Sequence, residues 1–560
     1  MKPGSPGLDR SAVVWVAAAL ALVVLMALPL GWLVALSVSG EHGVTLGHYR
    51  AVLGDVALRK AVWNTLVLTF WVGLGSLAIG APLAWLTART DVPARGVIRA
   101  LVLASFVTPP FLGAFAWVML AGPNAGLLNR VWRGLTGAED PLLNIFTMPG
   151  LIFVVTIYTF PYVYIMIANT LALIASDLEE AASILGAGRL AVALTVTLPM
   201  VLPALVSGFI LAVLQALALF GSPAILALPA GFHTITTQIW TFFHFPPRTE
   251  MAAAFSIPLL LATALLLLVQ KRILGRRGYA AIGGKGGQRR PIALGHWRWP
   301  AFGACLAVMA CAIFLPYGIL AKAALSRAWA QPLTADNFTF SNFTFTFFEY
   351  GATHDAIVNT LELGVATATV GAGLVALLAY ITNRRLVRGH QLVGFLALAP
   401  IVIPGVVLAV GLFIAYTRPP LVLYGTLTIL FIAYLTKEMP TGYAQSDATF
   451  RGIPPELEDA GRILGAGRLR ILRDVTAPLA RSGIIAAWCF IFIGVIRELS
   501  ASIILFTPAT KVMSVVIFDL KEEGQFGAIA VLGLVMLALT FATVALVQAA
   551  LGRDVMGVRE

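Results

Sequence analysis

Twelve apolar runs divide the chain, near residues 12–36, 61–88, 97–121, 149–175, 201–228, 251–274, 299–321, 356–382, 391–415, 421–445, 483–506 and 525–550. Each is on the order of the 20 residues that carry a helix across the hydrocarbon of a bilayer. The pattern predicts an all-α membrane protein of about twelve transmembrane helices. The first run is long enough to span, and no convincing small-residue cleavage site follows it, so it reads as a retained helix and not a removed signal.

Composition agrees: 59% of residues are hydrophobic and 11% charged, against a charged share near 25% in soluble domains. The net charge of +12 does not point to nucleic acid, because the basic residues sit in short loops beside the apolar runs. Counted with the N-terminus inside, cytoplasmic segments hold 25 Lys and Arg and outer loops hold 11. That bias places both termini in the cytoplasm. Cys305, Cys311 and Cys489 all fall inside apolar runs, which offers no disulfide framework.

Two polar islands are near copies. Residues 178–190, LEEAASILGAGRL, recur at 457–469 as LEDAGRILGAGRL, ten of thirteen positions identical. The same offset of 279 joins Pro161 to Pro440, Tyr164 to Tyr443, Pro199 to Pro478 and Pro229 to Pro508, and upstream Asn64-Thr65-Leu66 matches Asn359-Thr360-Leu361 at 295. Each half is therefore one six-helix unit, and the even helix number makes the repeat parallel. The division is residues 1–275, a basic Gly-rich cytoplasmic linker at 276–298, and 299–560. Gly283-Gly284-Lys285 in that linker fails as a phosphate loop, since Gly286 stands where Ser or Thr is needed. ATP chemistry is thus expected elsewhere.

Each island specifies a short helix. Ser176-Asp177-Leu178-Glu179 has the form of a capping box, Pro454 and Pro455 stand near the start of the second copy, and Gly186 or Gly188 can end the first with a left-handed residue. Leu178, Ala181, Ala182 and Leu185 form an apolar stripe. A helix lying at the lipid headgroups would look similar; the ungapped recurrence in both halves favours a docking helix.

Glu180-Ala181-Ala182, then three residues, Gly186, nine residues and Val196-Thr197-Leu198-Pro199 resemble the EAA signature of ATP-binding-cassette importer permeases. Over nearly its whole length the chain resembles the fused two-repeat permeases of the ferric iron family, as in Arg497-Glu498-Leu499-Ser500-Ala501-Ser502 and VMSVVIFDLKEEG from Val512 to Gly524. The resemblance implies a multi-pass subunit of the bacterial inner membrane. It implies two copies of a cytoplasmic ATPase that hold the ATP and Mg, an extracytoplasmic binding protein, and no cofactor or catalytic residue in this chain. It assigns ATPase coupling to Glu179, Glu180, Ala181, Leu185, Gly186 and Gly188, and to Glu458, Asp459, Ala460, Leu464, Gly465 and Gly467. The second copy departs from the signature at Asp459 and Gly461, and Ala477 replaces Leu before Pro478, so the two docking sites are expected to be unequal.

Charged side chains inside a span need a partner or a wet cavity. Glu362, Lys437, Glu438, Arg497 and Glu498 all lie in the second half, opposite Val67, Tyr158, Thr159, Ala218 and Leu219. They and Tyr158 are candidates for the translocation pathway, which would be electrostatically lopsided. Two readings stand: Lys437 or Arg497 neutralises a glutamate structurally, or Glu438 and Glu498 face the cavity and make transient oxygen contacts to a hard metal ion. His233 and His244 read as loop histidines, the stretch Asn337 to Tyr350 as an interfacial aromatic segment, and Pro109-Pro110 and Pro404-Gly405 as sites for a kink. Thiamine and aminoethylphosphonate permeases are the nearest rivals by resemblance. An ion-driven secondary transporter also has two parallel halves but leaves the duplicated islands unexplained, and no nucleophile–base pattern suggests a membrane enzyme.

Overall fold

A computed structural model describes residues 21–40, 42–173, 177–275, 291–387, 389–419 and 421–551. The expectations about the N-terminus, the Gly-rich linker centre and Ser176 of the capping box lie outside these residues. The first half contains α1 (Leu28–Ser37), α2 (Val56–Arg89), α3 (Arg95–Val107), α4 (Pro110–Ala121), α5 (Met148–Leu173), α6 (Asp177–Ile184), α7 (Leu198–Ala218) and α8 (Thr249–Gly275). The second contains α9 (Leu315–Ala324), α10 (Ala352–Asn383), α11 (His390–Leu398), α12 (Gly405–Tyr416), α13 (Leu427–Arg451), α14 (Glu456–Ile463), α15 (Ala477–Ile496) and α16 (Phe526–Leu551).

Where its residues are described, each apolar run falls largely on helix, but among the described residues only 8 helices are long and apolar enough to cross a membrane. Three differences account for most of the shortfall. The third run of each half is broken: α3 and α4 meet at 100°, and the α11 segment and α12 at 106°. Proline causes both breaks, since Pro109, Pro110 and Pro404 can neither donate to the preceding turn nor let it close. The α13 run carries Lys437 and Glu438, which lower its apolarity.

Proline also sets a finer feature. Four π-helical turns, Val23–Ala27, Ala193–Thr197, Ala310–Phe314 and Leu472–Thr476, each end two residues before a proline: Pro29, Pro199, Pro316 and Pro478. Widening the helix by one residue keeps the ring clear of the preceding carbonyl.

In the first half α2, α5 and α7 pack together, and in the second α10, α13 and α15 do the same. Glycines allow close approach in both: Gly80 lies against the Phe160 backbone and Gly442 against Ile491. The halves also cross over each other. α1 packs on α12, where a Cβ on Gly411 would come within 2.8 Å of the Pro29 carbonyl. α9 packs on α4, and its Tyr317 hydroxyl meets Thr108 at 2.6 Å.

The aromatic segment after α9 is tied down by its asparagines. Asn337 Nδ2 donates to the Ala328 and Pro332 carbonyls, and Asn342 Nδ2 to those of Ala323, Ala324 and Ser326. Phe340 and Phe348 remain exposed.

Candidate functional site

Both polar islands fold as short helices, α6 and α14, each stopped by a left-handed glycine: Gly186 at φ +89° and Gly465 at φ +81°. In the second copy Ala466 N–H reaches the Gly461 carbonyl at 3.1 Å and Gly465 N–H the Arg462 carbonyl at 2.9 Å. This pair of bonds satisfies the last turn. Gly188 and Gly467 follow the turn without a left-handed φ.

The acidic residues divide into two kinds. Glu458 is 1% exposed and accepts from Arg384 Nε at 2.8 Å, Thr476 Oγ1 at 3.0 Å and Tyr380 Oη at 3.3 Å. Its repeat partner Glu179 accepts from Arg89 at 3.2 Å and Thr197 Oγ1 at 2.7 Å. Arg89 and Arg384 share the offset of 295, and Thr197 and Thr476 that of 279. A buried carboxylate so engaged is an internal anchor that fixes the short helix to the end of the long span. Glu180, Asp459, Ala181 and Ala460 are exposed, and Leu185 and Leu464 are each 87% exposed. The exposed surface of each short helix is therefore an apolar tip beside an acid, held from behind by the other glutamate. The anchoring arginines and threonines escaped the reading of the islands alone, although the repeat offsets relate them.

A cavity of about 310 Å3 lies between the halves. Lys437, Glu438, Arg497 and Glu498 line it from the second half, with Tyr162, Gln215, Ala218 and Leu219 from the first. Glu362 is exposed on α10 and is not among its lining residues. Tyr158 is buried instead with its ring against Gly113, and Tyr162, one helical turn further on, is the tyrosine that reaches the cavity.

The four charges are arranged as follows. Lys437 Nζ forms an ion pair with Glu498 Oε2, whose other oxygen accepts from Ala501 N–H at 2.8 Å. Gly405 makes room for this pair: a Cβ there would come within 3.0 Å of Lys437 Nζ. Arg497 turns the other way, to the Phe106 carbonyl at 2.7 Å and Tyr162 Oη at 3.0 Å in the first half. Glu438 packs against Gly494, where a Cβ would collide with its carboxylate. The structural pairing and the cavity placement, posed as alternatives from sequence, occur together. Among the described residues no group of three or more His, Cys, Asp or Glu could hold a resident metal, and the His244 ring lies 4.2 Å from Trp240.

Two segments of the chain, residues 80–278 and 369–556, match the family described as binding-protein-dependent transport system inner membrane component. The chain belongs to this family. It is a multi-pass permease subunit of an ATP-binding-cassette importer, with the family's membrane unit present twice, and it is a transport component and not an enzyme. The ferric transport system permease protein FbpB of Actinobacillus pleuropneumoniae is 24% identical over 510 residues, 88% of this chain and 71% of that relative. The Fe(3+)-transport system permease protein FbpB 2 of Haemophilus influenzae is 23% identical over 521 residues, 90% of this permease and 93% of the relative. The molybdenum transport system permease protein ModB of Escherichia coli is 28% identical over 217 residues, 37% of this permease and 92% of that relative.

Proposed function

We propose that this permease imports ferric iron, delivered by an extracytoplasmic binding protein and driven by two copies of a cytoplasmic ATPase seated on α6 and α14. The observation that carries the substrate is likeness to two ferric permeases along 88% and 90% of the chain. The cavity supports it chemically. Ferric ion is hard and prefers oxygen donors, which Glu438, Glu498 and the Tyr162 hydroxyl supply at the cavity wall. Lys437 and Arg497 offset the acids, which suits a surface that must release its cargo.

Coupling follows from the exposed tips. Leu185 and Leu464 enter the two ATPases, while Glu179 and Glu458 transmit their motion to the spans behind. ATP and Mg belong to the ATPase, and this chain contributes no cofactor. Both termini are cytoplasmic, with halves 1–275 and 299–560 joined by the linker 276–298.

The test is uptake in proteoliposomes with the ATPase and candidate binding proteins, offering ferric ion, thiamine and 2-aminoethylphosphonate in parallel. ATP-dependent uptake of ferric ion alone is expected. Uptake of either organic substrate without iron ends the ferric reading, and uptake without ATP ends the coupling reading. Replacing Leu185 and Leu464 together by Asp should abolish ATP-driven uptake and leave the permease folded, because a truncated or charged anchor at an interface centre typically costs about 2 kcal/mol or more each.

A further inference from the structure

We propose that Arg497 is a positioning residue for transport: it fastens the broken third span of the first half to the second half across the cavity, and this fastening must open and re-form as the permease changes the face to which it is open. The inference rests on the chain being a permease and is independent of what it carries.

The reason lies in the proline pair. In a continuous helix the Phe106 carbonyl would accept from the amide of residue 110, or of residue 109 in a tighter turn. Both are proline and have no N–H. Thr108 satisfies the carbonyls just before: its amide reaches Ala104 and Ser105 at 3.2 Å each, and its hydroxyl reaches Ala104 at 2.9 Å. The local chain therefore has no donor for Phe106. Arg497 supplies one from the other half, at 2.7 Å.

The position suits a cation in two further ways. The end of α3 carries the negative end of the helix dipole, and the guanidinium carbon lies 5.4 Å from the centre of the Phe106 ring. A second N–H reaches Tyr162 Oη at 3.0 Å, on α5 of the same half. One planar fork thus joins two first-half elements, a geometry lysine cannot copy. The next residue, Glu498, is held within its own half by Lys437 and the Ala501 amide. Residues 497 and 498 are consequently a bridge with one foot in each half.

The bridge is one-sided. The first-half counterpart of Arg497 is Ala218, which has no donor to offer. The second break is held from the first half by a neutral group instead, Thr263 Oγ1 donating to the Val402 carbonyl. Any movement that separates the halves at the cavity must strip Arg497 from both acceptors, and Glu438, facing the same cavity, is a carboxylate near which the released guanidinium can rest.

The experiment uses the full permease with its ATPase in nanodiscs. ATP hydrolysis is measured with and without binding protein, together with the distance between spin labels placed at the exposed positions Leu135 and Phe348 in a background lacking the three native cysteines. Arg497→Gln is expected to raise hydrolysis without binding protein and to lower uptake per ATP by about tenfold, within the usual range of coupling between sites. It should also broaden the label distances, with Arg497→Lys intermediate. Pro110→Ala leaves Arg497 intact but restores a competing N–H for the Phe106 carbonyl, so it should move the same readouts in the same direction by a smaller factor. A folded Arg497→Gln with wild-type hydrolysis and label distances overturns the proposal. If Arg497→Gln does not fold, wild-type behaviour of both Pro110→Ala and Tyr162→Phe overturns it. Hydrolysis and distances need no cargo, so failure of iron uptake leaves this test standing.

Discussion

The two halves are near copies at the end that carries the short helices and strangers at the cavity. In the first half Arg89, Glu179 and Thr197 anchor the short helix and Thr87 meets Tyr164 at 2.8 Å; in the second Arg384, Glu458 and Thr476 do so and Thr382 meets Tyr443 at 2.8 Å. The cavity residues Lys437, Glu438, Arg497 and Glu498 have Tyr158, Thr159, Ala218 and Leu219 as their first-half counterparts. On the proposed function, a duplicated unit keeps its symmetry where both copies would face identical partners and loses it where a single cargo would pass between them. The difference then separates two tasks in space: repeated anchors for force, unique charges for passage.

The sharpest way to break the comparison is at the anchors. Glu458→Ala leaves Arg384, whose side chain is 9% exposed, without its buried carboxylate, and breaking a buried pair on one side costs about 3–5 kcal/mol. The Glu179 side chain is 16% exposed against 1% for Glu458, so Glu179→Ala should cost less. Thermal unfolding in detergent and co-purification of the ATPase measure both. Equal losses would mean that the two anchors are interchangeable and that the divergence at Asp459 and Gly461 has no mechanical consequence.

The cavity charges come next. Lys437 is 24% exposed on its side chain and Glu498 7%, so removing one partner costs less than at Glu458. Lys437→Met should destabilise by about 2 kcal/mol, below the fully buried case. The double variant Lys437→Met, Glu498→Gln should regain most of that, since the pair then leaves no lone charge. Uptake per ATP separates the roles: if the recovered double variant transports normally, the pair is structural alone, and the lopsided wall does not touch cargo.

These effects also mark what the sequence discloses. Apolar run length and the repeat offsets carry the all-α membrane class, the two repeats and the two short helices, because bilayer thickness and a duplicated gene both leave periodic traces. The breaks at Pro109-Pro110 and Pro404 were visible as kinks, though not as right angles, since the angle depends on what packs into the gap. The split between Glu179 as anchor and Glu180 as surface was hidden, because adjacent acids look alike until a helix orients them. Tyr162 was missed for Tyr158 for the same reason: one turn of α5 decides which ring meets the cavity and which meets Gly113. Arg497's acceptor was beyond reach, as a backbone carbonyl 391 residues away carries no side-chain signature.

The smallest test concerns how each half begins its second span. Asp55 caps α2, accepting from the Ala57 amide at 2.7 Å, whereas α10 follows Gly351, which offers no side-chain cap. The second half instead has Tyr350, two residues before α10, donating to Glu523 at 3.0 Å. Asp55→Ala should cost about 1 kcal/mol, the usual worth of an N-cap, read as faster hydrogen exchange over residues 57–60. Tyr350→Phe should cost less, because its bond is exposed. Its pH dependence identifies it: burial, then the Glu523 carboxylate, push the phenol from 10.0 up to about 12. The folded state thus holds this proton more tightly than the unfolded chain does, so the contribution is intact below pH 10 and is lost as the pH rises through about 12. An alkaline unfolding curve in which Tyr350→Phe differs from the parent below that window and converges with it above is the expected result. If the curves differ by the same amount throughout, the clasp does not involve the ionisable hydroxyl. If Asp55→Ala leaves exchange unchanged, the two spans begin alike and the halves diverge only at the cavity.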